Sequence, residues 1–220
     1  MVSGKTLDMD IRWLEQGIRE VVWESIAERY REPLRNFYNN LLKDLKKVLK
    51  DVKEGKVKPG NKKYKSKPFE DGIIQLFKDM YRDREPDIDN SVWLTMKDDY
   101  RVCFGFGGKS EKWKKREMDI KIAGKSTINQ NQKVFYIEIK YNLDMDEFGS
   151  ALMKSILTEK EKNSKFYIVS LRKEGKCDYR ELCKKDPFRR YIDGVIYFGP
   201  KYDPELKDVI KLLQEIDSSI

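Results

Sequence analysis

Residues 133–141, KVFYIEIKY, alternate between apolar and polar side chains more regularly than any other segment of the sequence. Successive side chains of a β-strand point to opposite faces, so this alternation predicts a strand with one apolar and one polar face. The apolar face carries Phe135, Ile137 and Ile139, and the other face carries Tyr136, Glu138 and Lys140. The chain therefore has to build a β-sheet that packs a core on one side and presents a carboxylate beside an amine on the other.

Histidine is absent from the 220 residues, and this absence restricts the chemistry that the chain can perform. Ser-His-Asp and Cys-His catalysis, HExxH zinc proteases and zinc fingers with histidine ligands all need an imidazole nitrogen. The three cysteines, Cys103, Cys177 and Cys183, form no CxxC pair and are too few for a four-thiolate zinc or iron–sulfur site. Any catalytic base must therefore be a carboxylate, a lysine, a tyrosine or a metal-bound hydroxide.

The balance of charges favours a polyanionic partner such as nucleic acid. Lys and Arg number 46 against 38 Asp and Glu, which gives a net charge of +8, and phosphate neutralisation supplies most non-specific affinity for nucleic acid. No run of consecutive apolar residues exceeds four, so we expect neither a membrane-spanning segment nor a signal peptide. The expected location is a reducing, intracellular compartment, the cytoplasm, or that of a host cell if the protein is viral.

Residues 1–55 are predicted to form an N-terminal helical hairpin. Apolar residues recur at helical spacing over 8–31, and Pro33 is expected to interrupt the chain before a second helix that ends at Gly55. An apolar stripe runs along the second helix, here named the 34–52 stripe: Leu34, Tyr38, Leu41, Leu45, Val48 and Val52. We interpret it first as the surface that packs on the first helix, and a homodimer interface is the alternative.

Two basic segments are candidate contacts for nucleic acid. Residues 56–68 are predicted as a mobile linker, because they are rich in lysine, contain two prolines and contain no acidic residue. A second basic cluster surrounds Trp113. In both segments the charges could neutralise phosphates or could simply be solvated. The candidate nucleic-acid-binding residues are Lys62, Lys63, Lys65, Lys112, Lys114, Lys115 and Arg116.

Residues 69–220 are predicted to form an α/β core with a mixed central sheet flanked by helices. We expect helices over 69–82 and 146–161, and a terminal helix that begins at Pro204. Strands are expected over residues 92–96, 100–106, 118–122, 133–141, 165–171 and 192–198. The predicted organisation is thus a hairpin, a basic linker and one core that ends in a helix.

A second strand brings another carboxylate toward Glu138. In residues 117–122, EMDIKI, Asp119 projects from the face opposite the apolar side chains. Pairing of this strand with 133–141 could place Asp119 beside Glu138. Two carboxylates without histidine form an oxygen-rich site that suits Mg²⁺, which prefers a few carboxylates, waters and phosphate oxygens. Lys140 would then face the reacting phosphate.

These residues resemble the signature of the PD-(D/E)XK nuclease superfamily, in which an acidic residue on one strand precedes Glu-x-Lys on the next. Asp119 and Glu138 are 19 residues apart, which fits that signature. The order of elements from 69 to 171 is similar to the superfamily's αβββαβ core, the restriction endonuclease-like fold. Glu70 matches the acidic residue that many members carry on the preceding helix.

The resemblance implies a magnesium-dependent deoxyribonuclease, an endonuclease rather than an exonuclease, which leaves 5′-phosphate and 3′-hydroxyl ends. Asp119, Glu138 and the carbonyl of Ile139 would hold one or two Mg²⁺ ions, with Mn²⁺ as a substitute, and Glu70 would anchor a second metal. Lys140 would orient the attacking water and stabilise the transition state. Restriction-type and Holliday junction resolvase-like members cut two strands with two equivalent sites, which implies a homodimer on duplex or branched DNA; a repair or viral-genome nuclease is also compatible.

Several alternatives stay open. Glu-x-Lys occurs at three other places in the sequence, so the motif could be an ordinary set of cross-strand pairs on a solvated face. A rival register would use Asp98 or Asp99 as the first acid and Asp119-x-Lys121 as the second motif. The chain could also bind nucleic acid without catalysis, or act as a helical interaction protein through the 34–52 stripe.

Overall fold

A mixed β-sheet lies at the centre of the computed structural model, which describes residues 4–57, 62–81, 87–89, 92–94, 116–123, 134–157, 164–200 and 205–219. In these ranges the helices are α1 (Gly4–Glu20), α2 (Glu28–Lys53), α3 (Lys62–Tyr81), α4 (Met145–Leu157), α5 (Tyr179–Cys183) and α6 (Lys207–Asp217). The strands are β1 (Asp87–Asp89), β2 (Val92–Leu94), β3 (Arg116–Met118), β4 (Ile120–Ala123), β5 (Val134–Leu143), β6 (Ser164–Lys173) and β7 (Gly194–Tyr197).

The central sheet has the strand order β1-β4-β5-β6-β7. β1, β4 and β5 pair antiparallel, whereas β5, β6 and β7 run parallel to one another. Helix α4 connects β5 to β6, because parallel neighbours need a crossover connection. β2 and β3 form a separate antiparallel pair. The predicted α/β class with a mixed sheet and flanking helices is confirmed, and the closer assignment to a restriction endonuclease-like core stays a prediction.

Two hydrophobic clusters cover the two faces of the sheet. The larger cluster joins α1, α2, α3 and α6 to one face, which includes Phe135, Ile137 and Ile139 of β5. The smaller cluster lies with α4 and α5 and includes Tyr136 of β5. The predicted division of the β5 side chains between two faces is therefore confirmed. The polar face is not solvated, however, because α4 packs on it and Glu138 is buried there.

The predicted helix over residues 8–31 is too long, because the chain turns between α1 and α2. A 3₁₀ turn over Trp23–Ser25 separates the two helices. The Trp23 indole donates a hydrogen bond to the carbonyl of Ile18 (3.3 Å), which satisfies one of the carbonyls that a helix end leaves free. Val21 and Ile26 are buried in this turn, so the apolar spacing continues through it although the helix does not.

The 34–52 stripe is buried within the chain itself. Helix α2 packs against both α1 and α3, and this packing buries Leu34, Tyr38, Leu41 and Leu45. The Tyr38 hydroxyl donates a hydrogen bond to the carbonyl of Phe198, just after β7 (3.1 Å). Packing within one chain is therefore the correct interpretation of the stripe. Its buried residues are not available to a second copy or another protein, so the predicted homodimer needs a different surface.

Part of the predicted basic linker is helical, because α3 already begins at Lys62. Pro68 lies inside α3 and Pro33 lies inside α2, so neither proline ends a helix. Lys67 forms an ion pair with Asp71 one turn further along α3 (2.6 Å), a spacing that supports the helix. The predicted boundaries between hairpin, linker and core at residues 55 and 68 stay a prediction. In the structure, α1, α2 and α3 all share the larger cluster with the sheet.

The other predicted elements of the core lie close to their expected positions. Helix α4 covers the first part of the predicted helix over 146–161, and β6, β7 and α6 match predicted elements. The strand expected over 100–106 lies outside the described residues. β1 and α5 were missed because elements of three and five residues are too short for a period to be counted. In the described ranges, no helix has the length and apolar character that crossing a membrane requires.

Gly17 and Gly149 form a matched pair of glycines inside helices. A Cβ at Gly17 in α1 would overlap the ring of Pro200, whereas a Cβ at Gly149 in α4 would meet nothing within 4 Å. We expect Gly17→Ala to lower the free energy of unfolding by about 1–3 kcal/mol through overpacking. Gly149→Ala should raise it by about 0.5–1 kcal/mol, because alanine favours the helix. Urea denaturation measures both values, and stabilisation by both substitutions would contradict the close approach of α1 to Pro200.

Candidate active site

Asp119 lies at the break between β3 and β4, where the chain enters the central sheet. Ile120 of β4 pairs with Ile137 of β5 in antiparallel register, so the backbone of Asp119 comes beside Glu138. The N–H of Ile139 donates a hydrogen bond to Oδ2 of Asp119 (2.6 Å). The strand pairing that the sequence predicts for these two acids is therefore present.

Glu138 is a buried carboxylate that two lysines neutralise. Its residue is only 1% exposed. Lys154 of α4 donates hydrogen bonds to both carboxylate oxygens, at 2.6 Å to Oε1 and 2.7 Å to Oε2. The ammonium of Lys140 lies 2.9 Å from Oε1. A buried charge is tolerated only when it is paired, and Glu138 meets that condition through one lysine from its own strand and one from the covering helix.

Lys140 is shared between two carboxylates. Its Nζ contacts Glu138 and also lies 3.1 Å from Oε2 of Glu147, in the first turn of α4. Burial acts to lower the pKa of Lys140, but the charges of Glu138 and Glu147 and their hydrogen bonds outweigh burial and raise this pKa above its ordinary value. The Lys140 side chain is therefore a cation at neutral pH, and a source of protons for hydrogen bonds rather than a base.

The pKa of Asp119 is raised from its ordinary value of 3.8 to about 7. Burial is the largest cause and the charge of Glu138 is the next, while the Ile139 N–H and the two lysine ammonium groups act in the opposite direction. Two carboxylates held close together in a partly buried site repel each other when both are ionised. Burial and this repulsion keep the proton on Asp119 at pH values where an exposed aspartate has lost it.

This shift predicts how the stability of the metal-free protein depends on pH. The folded protein binds the Asp119 proton more tightly than the unfolded chain does. Protonation of Asp119 therefore stabilises the folded state fully below about pH 4, and this stabilisation is lost as the pH rises through about 7. We expect Asp119→Asn to remove this decline. Urea denaturation in EDTA at several pH values from 4 to 8 gives the free energy of unfolding of wild type and variant, and the difference between the two should change with pH. A difference that does not change with pH would contradict the shift.

A cleft of about 540 Å³ opens at the carboxyl ends of β5 and β6, between α1 and α3 on one side and α4 on the other. In α/β sheets this end of parallel strands is the usual place for a ligand. Three basic side chains line the cleft: Lys140, Lys154 and Arg172. Twice as many carboxylates line it: Glu70, Asp119, Glu138, Asp144, Glu147 and Glu174. The cleft is therefore acidic although the whole chain carries +8.

All five residues predicted for catalysis or metal binding line this one cleft: Glu70, Asp119, Glu138, Ile139 and Lys140. Glu70 comes from α3, on the opposite side from α4. The candidate nucleic-acid contacts are not placed in the same way. Lys62, Lys63 and Lys65 belong to α3 and Arg116 to β3, but their side chains lie outside the described residues, as do Lys112, Lys114 and Lys115 entirely.

The sequence prediction missed the part of the cleft that α4 contributes. Glu147 and Lys154 are seven residues apart, or two helical turns, and both reach the strand that carries Glu138. Asp144 does cap α4, since its Oδ1 accepts a hydrogen bond from the N–H of Glu147 (2.9 Å). The sequence did contain a signal, because Glu147 and Lys154 are one heptad apart and flank Phe148, which is buried. This spacing shows that they share a helix face, but it does not reveal which strand that face covers.

The donor atoms of the cleft fit a hard cation of the magnesium type. Among the described residues, no group of three or more His, Cys, Asp or Glu is arranged to hold a metal. The fit is instead to two carboxylates, Asp119 and Glu138, with the Ile139 carbonyl and water, a ligand set that Mg²⁺ accepts. A bound cation would stabilise the ionised form of Asp119, whose pKa is raised first by burial and then by the charge of Glu138. Lys154 already brings positive charge to Glu138 by holding both of its oxygens.

The fold and the cleft thus define a mixed α/β protein with an acidic pair and a lysine at the carboxyl end of a parallel strand pair. No protein-family model matches the sequence, and no curated protein or solved structure matches it significantly. Function therefore has to be inferred from the chemistry of the cleft rather than from relatives.

Proposed function

We propose that the chain is a Mg²⁺-dependent nuclease that hydrolyses phosphodiester bonds of DNA, acting as an endonuclease, with Mn²⁺ as a possible replacement for Mg²⁺. The observation that carries the proposal is that Asp119, Glu138 and Lys140, selected from the sequence, come together in one cleft. The net charge of +8 supports a polyanionic substrate. The mixed sheet and the helices α3 and α4 on either side of it are compatible with a restriction endonuclease-like core.

Each residue of the cleft has a role in this proposal. Asp119, Glu138 and the carbonyl of Ile139 would hold Mg²⁺, and Glu70 on α3 would anchor a second ion or its waters. The chemistry that Mg²⁺ would supply is Lewis-acid catalysis, which favours ionisation of a water and offsets negative charge on the scissile phosphate. Lys140, kept protonated by its two carboxylate neighbours, donates hydrogen bonds to the attacking water and to phosphate oxygens. Glu147 holds the Lys140 ammonium in place.

A second candidate function is nucleic-acid binding without catalysis. It is favoured by the contacts of Glu138, because Lys154 holds both carboxylate oxygens and Lys140 contacts one of them. In that case the lysines and Glu138 would serve only to fasten α4 to β5. Under the nuclease proposal, Lys154 would have to share the Glu138 carboxylate with the cation. The two candidates therefore differ in whether added Mg²⁺ changes the behaviour of the protein toward DNA.

The test is to incubate the protein with supercoiled plasmid, a single-stranded oligonucleotide and a four-way junction, in Mg²⁺, Mn²⁺ or EDTA. The proposal expects cleavage with either metal and none in EDTA, with 5′-phosphate and 3′-hydroxyl ends. The preferred substrate distinguishes restriction-type, junction-resolving and repair activities. Light scattering of the same sample tests the proposed homodimer. Binding of all substrates without cleavage in any metal would instead support the second candidate.

Lys140→Ala is expected to lower the rate of cleavage by about 10²-fold or more, because it removes a positioned proton donor beside the reacting phosphate. Lys121→Ala is the matched control: Lys121 pairs across to Tyr136 on the same two strands but does not line the cleft. Initial rates at saturating Mg²⁺ measure both variants. An equal loss in Lys121→Ala would favour the rival motif Asp119-x-Lys121 instead.

A further inference from the structure

Arg172 is fixed at the end of β6 by two side chains. It lies opposite Asn142 in the parallel register of β5 and β6. Its Nε donates a hydrogen bond to Oδ1 of Asn142 (2.9 Å), and its Nη1 forms an ion pair with Oδ1 of Asp10 in α1. A guanidinium that is held at two of its nitrogens has lost most of the freedom of an ordinary surface arginine.

Asp10 is completely buried, which is rare for a carboxylate. Its Oδ2 accepts a hydrogen bond from the hydroxyl of Tyr141 (3.0 Å). Burial of a carboxylate is costly unless a cation compensates it, so Asp10 binds Arg172 in a definite place rather than merely attracting it. Helix α1 therefore positions a cation at the carboxyl end of the sheet.

Arg172 is nevertheless open to the cleft. It lines the cleft together with Lys140, Tyr141 and Asn142, and its side chain keeps 30% of its exposure. Within the described part of the chain, its Nη2 has no hydrogen-bond partner. The planar fork of arginine matches the oxygens of a phosphate, and an oriented fork gives up little further entropy on binding.

We propose that Arg172 binds a phosphate of the DNA strand next to the phosphate that is cleaved, with Asp10 and Asn142 as positioning residues. This inference rests on the proposed nuclease function. Lys140 lies opposite Ser170, and Asn142 lies opposite Arg172. Arg172 is thus two residues further along the sheet than Lys140 and on the neighbouring strand, which separates the two backbone positions by roughly 8 Å at the usual rise and strand spacing. The two cations can therefore contact successive phosphates of one strand.

The experiment is a salt titration of binding to a fluorescent single-stranded oligonucleotide, followed by anisotropy with Ca²⁺ in place of Mg²⁺. Arg172→Ala should reduce the slope of log K against log salt by about 0.7, the value for one phosphate of a single strand. Lys173→Ala is the matched control, because the exposed Lys173 is the next residue of β6 and does not line the cleft. Its slope should equal that of wild type.

Arg172→Ala leaves a buried carboxylate at Asp10 and could unfold, so a second variant is needed. Asp10→Asn with Arg172→Gln removes both charges together and should show the same loss of slope. Cleavage in Mg²⁺ is measured separately, and there the variant should raise KM more than it lowers kcat. Unchanged slopes in the folded Arg172 variants would overturn this inference alone. Binding without cleavage by wild type would overturn the nuclease, and absence of any DNA binding would overturn both.

Discussion

If the nuclease proposal holds, Glu138→Gln is expected to reduce Mg²⁺-dependent cleavage of DNA by more than about 10³-fold, because it removes a proposed metal ligand and its charge. The same substitution should lower the free energy of unfolding by about 3–5 kcal/mol, because it leaves the part-buried Lys154 ammonium beside a neutral amide and leaves Lys140 with Glu147 as its only carboxylate partner in the described residues. Both lysines now contact the Glu138 carboxylate at 2.6–2.9 Å. Cleavage assays and urea denaturation measure the two effects.

The loss of activity has to be separated from the loss of stability. In the double variant Glu138→Gln with Lys154→Met, the carboxylate and one ammonium are removed together, so most of the stability should return. Under the nuclease proposal activity should not return, because the proposed metal ligand is still missing. Recovery of cleavage in the stable double variant would show that Glu138 serves only to fasten α4 to the sheet. Full activity of Glu138→Gln alone would exclude it as a metal ligand.

Leu41→Asp is expected to abolish the folded state, with a loss of more than about 4 kcal/mol in the free energy of unfolding. Leu41 is 1% exposed in the 34–52 stripe, in the middle of α2. An aspartate at this position would be surrounded by apolar side chains of the larger cluster and would be without a cation. Circular dichroism and thermal denaturation of the purified variant measure this loss.

Asn39→Asp is the matched control for Leu41→Asp, since it adds the same charge two residues earlier at an exposed position of α2. Its effect should stay within about 0.5 kcal/mol, as for most surface substitutions. If Leu41→Asp were folded and only lost binding to a partner, the stripe would be an interaction surface and its burial within the chain would be wrong. Unfolding of both variants would point to the added charge rather than to the position.

The catalytic candidates could be found from the sequence because a strand has a short and exact period. The alternation in residues 133–141 assigns Glu138 and Lys140 to one face and Ile137 and Ile139 to the other without any knowledge of the rest of the fold. The same rule selected Asp119 in the predicted strand over 118–122, which the structure divides at this residue into β3 and β4. Because β4 pairs antiparallel with β5, the two acids still come together, as the register of Ile120 with Ile137 indicates.

The surroundings of these acids could not be found in this way. Lys154 and Glu147 reach the site from α4, and Arg172 and Asp10 meet from β6 and α1, 162 residues apart in the chain. Helical spacing shows which residues of α4 share a face, but not which strand that face covers. The predicted first helix, 8–31, also continued past the end of α1 at Glu20. The reason is that the spacing of the apolar residues Val21 and Ile26 fits a helix although both lie in a turn.

By itself, the sequence determined the class of the fold, the faces of β5 and the candidate residues Glu138 and Lys140 on its polar face, because local periodicity depends only on neighbouring residues. Only the tertiary structure decided that the polar face of β5 is covered, that Glu138 is neutralised by Lys154, and that Asp10 fixes Arg172 at the cleft. These contacts join residues distant in the chain, and their energies come from burial, which no local pattern records.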